Sequence, residues 1–199
     1  MPRKMKVNRE DLPEIVLDVA GRFAAREGLR GVAMRRIAQE VGVVPGSIYN
    51  VVGDIDEIVL RLNARTLRRL QEHLRRAADP QGKAAANTLA FAEAYLDFVA
   101  ANPRLWGVIL EHTMPGGEPI PGWYAAELDQ TTGLVDRVLE PLFPDEAERT
   151  RTVTALWAAL HGLASLATSG KLSVLNDDDP RDLARLMVTR FLKLDDPAA

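Results

Sequence analysis

The 199 residues contain no cysteine, so neither a disulfide framework nor a thiolate metal site is possible. Histidine is scarce. His73, His112 and His161 are the only three, and they form neither His-x3-His nor Glu-x-x-His. The usual ligands of a metal centre in a helical bundle are therefore missing. A phosphate-cradling glycine loop is missing too, because "SGKLS" (Ser169–Ser173) has no upstream glycine. No apolar run approaches the ~18 residues that a membrane span needs. Arg3, Lys4 and Lys6 are basic, but no apolar stretch follows them, so no secretory signal is expected. Glu111-His112 is a lone acid–base pair, expected at an exposed helix end. These absences predict a soluble, cytoplasmic chain with no metal, no cofactor and no catalytic role.

What is present is helical. Hydrophobic residues make up 47 % of the chain, enough for a substantial core. Strand-like alternation and internal repeats are not found. Leu12, Ile15, Val16, Val19, Ala20, Phe23 and Ala24 recur at intervals of three and four, one stripe of an amphipathic helix. Asp11 with Glu14 is a candidate cap for it, and Gly28 and Gly31 end it. Two short helices follow, near Met34–Val41 and Pro45–Val51. Asp54 with Glu57 opens a long fourth helix, Asn102-Pro103 a sixth, Asp145 with Glu148 an eighth, and Asp179-Pro180 a ninth. The expected fold is all-α with about nine helices: a three-helix domain in residues 1–60 and a helical bundle in residues 61–199. Charge divides along a similar line. Residues 1–78 carry 15 Lys/Arg against 10 Asp/Glu, and residues 79–199 carry 10 against 18. A basic end on an acidic chain either faces a polyanion or is simply a solvated surface.

The segment from Met34 to Val52 has the spacing of a helix-turn-helix. Ala38 is small where the second helix must pass close. Gly42 stands four residues on, where a left-handed residue is needed. Val43 and Ile48 are apolar and wedge the helices together. The second helix then offers Ser47, Tyr49 and Asn50, polar groups of the kind that reach base edges and phosphates. A plain helical hairpin inside a bundle has the same spacing.

"VAMRRIAQEVGVVPGSIYNVVGDIDEIVLRL" (Val32–Leu62) resembles the DNA-binding segment of the TetR family of transcriptional regulators. The matching residues are Arg36-Ile37-Ala38, Gly42-Val43, Gly46-Ser47-Ile48-Tyr49, and Asp56/Glu57 with Ile58 and Val59. The resemblance continues more weakly into "NPRLW", "PGWY" and "WAALHG", the last like a subgroup with a Trp-x3-His-Gly signature. Three positions depart from the family pattern. Ala33 stands where Thr or Ser usually caps the second helix. Val52 and Ile55 stand where an aromatic plug and a phosphate-binding lysine are frequent.

The resemblance implies a regulator that binds double-stranded DNA as a homodimer and responds to a small-molecule effector. It makes Pro45, Gly46, Ser47 and Asn50 candidate major-groove readers, and Arg35 or Arg36 a phosphate contact. Tyr49 is a phosphate contact, a half-buried support for its helix, or both. Lys4 and Lys6 are either a DNA-binding arm or a disordered tail. Ligand-lining candidates are Phe91, Tyr95, Phe98, Trp106, Leu110, Met114, Trp123, Trp157 and His161. Dimer candidates are Ala155, Ala159 and Gly162 on the eighth helix and Leu183, Leu186, Met187 and Phe191 on the ninth. The family prior is a repressor released by an apolar or amphipathic ligand. The alternatives are a regulator without a small-molecule inducer, and a helical adaptor that has lost specific DNA binding.

Overall fold

The computed structural model describes residues 8–175 and 177–192. Among these it contains nine α-helices and no strand. They are α1 (Leu12–Glu27), α2 (Met34–Val41), α3 (Pro45–Tyr49), α4 (Ile55–Ala77), α5 (Ala84–Ala101), α6 (Pro103–Glu111), α7 (Gly122–Leu139), α8 (Glu146–Thr168) and α9 (Pro180–Phe191). Short 3-10 turns follow α1, α6 and α8. None of the described helices is long and apolar enough to cross a membrane.

Two compact units are formed. One comprises the described part of residues 1–66 together with residues 102–125; the other comprises residues 67–101 and the described part of 126–199. The division does not follow a linear boundary at residue 60. The reason is α6, which packs on α1 and buries Val108 completely in the same core as Val16, Ile37, Ile48 and Ile58.

The first unit follows its apolar spacing closely. α1 buries Leu12, Val16, Val19, Ala20 and Ala24 on one face, and Gly28 ends it at φ 68°. The expected Asp11 cap does not form. Asp11 sits at φ −85°, ψ −14°, in the helical region rather than the extended one that aims a side-chain oxygen at the first N–H groups. α2 starts at the extended Ala33, whose side chain cannot cap. It ends at Gly42, left-handed at φ 82°, ψ 28°. The N–H groups of Gly42 and Val43 both donate to the Ala38 carbonyl, at 2.9 and 3.0 Å. α3 is shorter than its sequence suggests. Val51 and Val52 both donate back to the Ile48 carbonyl in a tight turn that leads through Gly53, at φ 112°. Asp54 then accepts from the Glu57 N–H at 2.9 Å, while the Glu57 carboxylate turns to Arg61 at 2.7 Å. Only half of the expected capping box is therefore made.

In the second unit α5, α8 and α9 pack on one another. α5 contributes Tyr95, Leu96 and Val99, α8 contributes Val153, Leu156, Leu160 and Ala164, and α9 contributes Ala184 and Val188. Asp145 caps α8 by accepting from Glu148 N–H at 2.8 Å, and Asp179 caps α9 by accepting from Arg181 N–H at 2.8 Å, as their spacing predicts. Arg181 and Arg185 of α9 pair with Asp97 and Glu93 of α5, at 2.5 and 2.8 Å.

The helix-turn-helix yields a stability prediction. Nothing lies within 4 Å of a Cβ built on Gly42, so a Gly42→Ala change meets only backbone strain. Thermal or urea denaturation should find it destabilised by about 1–2 kcal/mol, the cost of a left-handed residue. Gly46 is helical with equally open surroundings, so Gly46→Ala should leave stability unchanged or raise it by up to ~1 kcal/mol. A Gly42→Ala protein as stable as the parent would contradict the left-handed turn.

Candidate functional site

The α2–α3 pair presents a defined surface. Ile48 points inward and is fully buried, and Ser47 is half-buried. Val44, Pro45, Gly46, Tyr49 and Asn50 are exposed. Tyr49 is 63 % exposed, so the ring projects from the helix end rather than propping it. The two adjacent arginines, equivalent in the sequence, have different roles. Arg36 donates two hydrogen bonds to the Glu27 carboxylate, at 2.6 and 2.8 Å. Its guanidinium also lies over the Phe23 ring, 4.6 Å from the centroid. The hydrogen bond to Arg36 holds the Glu27 carboxyl below the ordinary carboxylate range. Arg36 thus ties α2 to α1. Arg35 is exposed and remains the phosphate candidate of the pair. Lys4 and Lys6 lie outside the described residues.

The ligand-lining candidates divide between the units. Phe91, Tyr95 and Trp157 meet in an apolar cavity of the second unit, walled also by Leu74, Val135 and Leu156. His161 does not line it, but its Nδ1 is hydrogen-bonded to the hydroxyl of the lining Tyr95 at 2.8 Å. Burial lowers the His161 pKa, which favours the neutral imidazole. Tyr95 and Trp157 rings stand 5.2 Å apart at a tilt. Phe98 packs instead near His73, with centroids 6.1 Å apart, and does not line this cavity. Trp106, Leu110, Met114 and Trp123 do not line it either, because residues 102–125 belong to the first unit. There Trp106 is core, Leu110 and Trp123 are exposed, and Met114 borders a cleft beside α3. The cavity volume is only about 20 Å³, room for roughly one water molecule.

The dimer candidates occupy the faces that α8 and α9 turn away from their own core. Ala155 and Gly162 are exposed and Ala159 is half-buried, whereas Leu156, Leu160 and Ala164 of the same helix are buried. On α9, Leu183 and Met187 are half-buried, and Leu186 and Phe191 remain 54 % and 40 % exposed.

Sequence reasoning passed over two polar groupings. In the second unit the buried Glu127 accepts from Arg68 Nε and Nη2 through one oxygen, at 2.9 and 2.7 Å. Gln71 donates to the Thr131 hydroxyl beside it, at 3.0 Å. In the first unit His112 Nε2 meets Asp56 Oδ1 at 2.9 Å. The Asp56 and His112 positions are 56 residues apart. No local pattern joins such pairs, so they were not legible before the fold.

Comparison with known proteins gives a consistent answer. Residues 88–191 match the family model described as the tetracyclin repressor-like C-terminal domain. An HTH-type transcriptional regulator of Mycobacterium bovis, Mb1846, is 26 % identical over 142 residues, which cover 70 % of this chain and 58 % of that protein. The chain thus spans less than two thirds of that relative's length. YobS of Bacillus subtilis, an uncharacterised HTH-type transcriptional regulator, is 26 % identical over 77 % of both chains. Among solved structures, a TetR-like transcriptional regulator from Rhodococcus sp. RHA1 superposes with a TM-score of 0.65 at 23 % identity, covering 98 % of this chain and 100 % of that one. At that identity the likeness shows the fold. The family model spans more than half of the chain, and the chain belongs to the TetR family of transcriptional regulators.

Proposed function

We propose that the chain binds a palindromic DNA operator as a homodimer, acts as a repressor, and is released by a small apolar or amphipathic ligand. The observation that carries the DNA-binding part is the α2–α3 pair. It leaves Pro45, Gly46, Tyr49 and Asn50 exposed at the end of a helix whose Ile48 is locked in the core. Such a helix reads base edges from its exposed positions, while cations nearby neutralise phosphate. Arg35 fills the second role. The unburied faces of α8 and α9 support the homodimer. They combine small residues, which permit close helix approach, with Leu186 and Phe191, which leave apolar surface to cover. One recognition helix reads few bases, so two related by a twofold axis suit a palindrome.

The cavity beside Tyr95 supports the sensor part through its chemistry: apolar walls with the Tyr95 hydroxyl, hydrogen-bonded to His161, as a polar group. Its volume of about 20 Å³ requires the side chains to part before a ligand enters. That volume also favours a second reading, a regulator that works without a small-molecule inducer. A screen of apolar and amphipathic metabolites by thermal shift separates the two. A ligand that raises the melting temperature and also releases DNA supports the sensor, and stabilisation by none of them supports the second reading.

Tyr49→Ala and Asn50→Ala should each weaken operator binding by roughly tenfold or more, with helicity by circular dichroism unchanged. Arg35→Ala should weaken binding to all sequences alike and lower the slope of log affinity against log salt by about 1. Arg36→Ala should instead lower stability, because it frees Glu27 and uncovers Phe23. Equal salt slopes for Arg35→Ala and the parent would remove Arg35 from the interface.

His161 adds a pH signature. Its folded pKa is depressed below the ordinary 6.5 by burial. The unfolded chain therefore takes up the proton first, and the folded state is at full strength above pH ~6.5, losing stability as pH falls from there toward the folded pKa. Urea midpoints at pH ~7.5 and ~5.5 should show an acid-side loss in the parent that is smaller in His161→Gln. An identical loss in both would mean that His161 carries no such penalty.

A further inference from the structure

The first unit contains a second concavity, separate in residues and chemistry from the Tyr95 cavity. It measures about 440 Å³, within the range of small-molecule sites, and opens beside the exposed end of α3. Its apolar lining includes Val52 and Leu60, both buried, with Met114 and Pro121. The Tyr49 ring borders it. Four carboxylates line it, and they are not equivalent. Glu57 is paired with Arg61 at 2.7 Å, and Asp56 with His112 at 2.9 Å. The Asp54 carboxylate accepts the Glu57 N–H, and among the described residues no cation forms an ion pair with Asp54 or Glu118. The cleft thus combines an apolar lining, an aromatic edge and two carboxylates that lack a counter-charge.

We propose that this cleft binds a small organic cation, its ammonium held between Asp54, Glu118 and the Tyr49 ring, and its apolar body lying on Val52, Leu60, Met114 and Pro121. Charge complementarity selects the class. A neutral occupant would strip water from two carboxylates without replacing the lost interactions, and an anion would add repulsion. An ammonium offers donors to both and is attracted to the face of the aromatic ring. Val52 lines the cleft, so a larger side chain at this position would take up part of its space. The site does not depend on operator binding, so its failure and the failure of the proposed function can be told apart.

Fluorine NMR on the full chain without DNA tests it. The probes are para-fluorophenethylammonium, the matching neutral alcohol and para-fluorophenylacetate. The cation should bind roughly tenfold tighter than the alcohol, and the acetate more weakly than either. Asp54→Asn with Glu118→Gln should abolish the preference for the cation. Both positions are exposed, and asparagine still caps α4, so folding is preserved. Val52→Phe, once shown to be folded by circular dichroism, should abolish binding of both cation and alcohol. Equal binding of cation and alcohol by the parent protein would overturn the proposal. So would a preference that survives the double substitution, undiminished binding by folded Val52→Phe, or no binding of the cation at all.

Discussion

The close passage of α3 over α2 at Ala38 is the constraint on which the exposed surface of α3, the proposed DNA-reading surface, depends. Ala38 is 1 % exposed and accepts two N–H groups from Gly42 and Val43, so its carbonyl is the pivot of the turn. A larger side chain at 38 would push the helices apart. A non-glycine residue at 42 would strain the left-handed turn. Ile48 can reach the core beside Ile37 and Val16 only when both conditions hold. Once Ile48 is fixed, helical geometry decides the rest: Pro45, Gly46, Tyr49 and Asn50 have to face outward. The exposed residues thus owe their arrangement to buried ones.

Electrostatics then sorts the outward groups. Arg36 is held by Glu27 and Phe23 and acts as a brace between α1 and α2. Arg35, next to it, is exposed to solvent. The same unit carries Asp54 and Glu118 in one cleft with Tyr49, a patch of the opposite sign beside α3. If α3 reads DNA as proposed, fixed negative charge beside it makes binding sensitive to whatever neutralises that charge.

Much of this was legible in one dimension. The amphipathic stripe of α1, the Gly42 turn and the caps at Asp54, Asp145 and Asp179 follow from local spacing, and local hydrogen bonds deliver them. Asp11 failed as a cap because backbone dihedrals, not residue type, aim the side chain. Arg35 and Arg36 are neighbours in sequence, and only the position of Glu27 separates their roles. Tertiary structure divides the expected ligand-lining residues between the two units. Tyr95, Phe91 and Trp157 share a cavity, yet Trp106 and Met114 join the first unit because α6 docks on α1 through Val108. Residue type and family resemblance, from which those candidates come, do not reveal that docking. Val52, one of the departures from the family pattern, lines the cleft beside α3.

The central claim is that α3 reads a specific sequence and that two copies read it together. Selection of bound DNA from a random pool by the purified chain tests this most directly. The account predicts enrichment of an inverted repeat, with half-site centres about 34–36 Å apart along the duplex or a multiple of that. A pool that stays random, or one that enriches a single unpaired half-site, would contradict it.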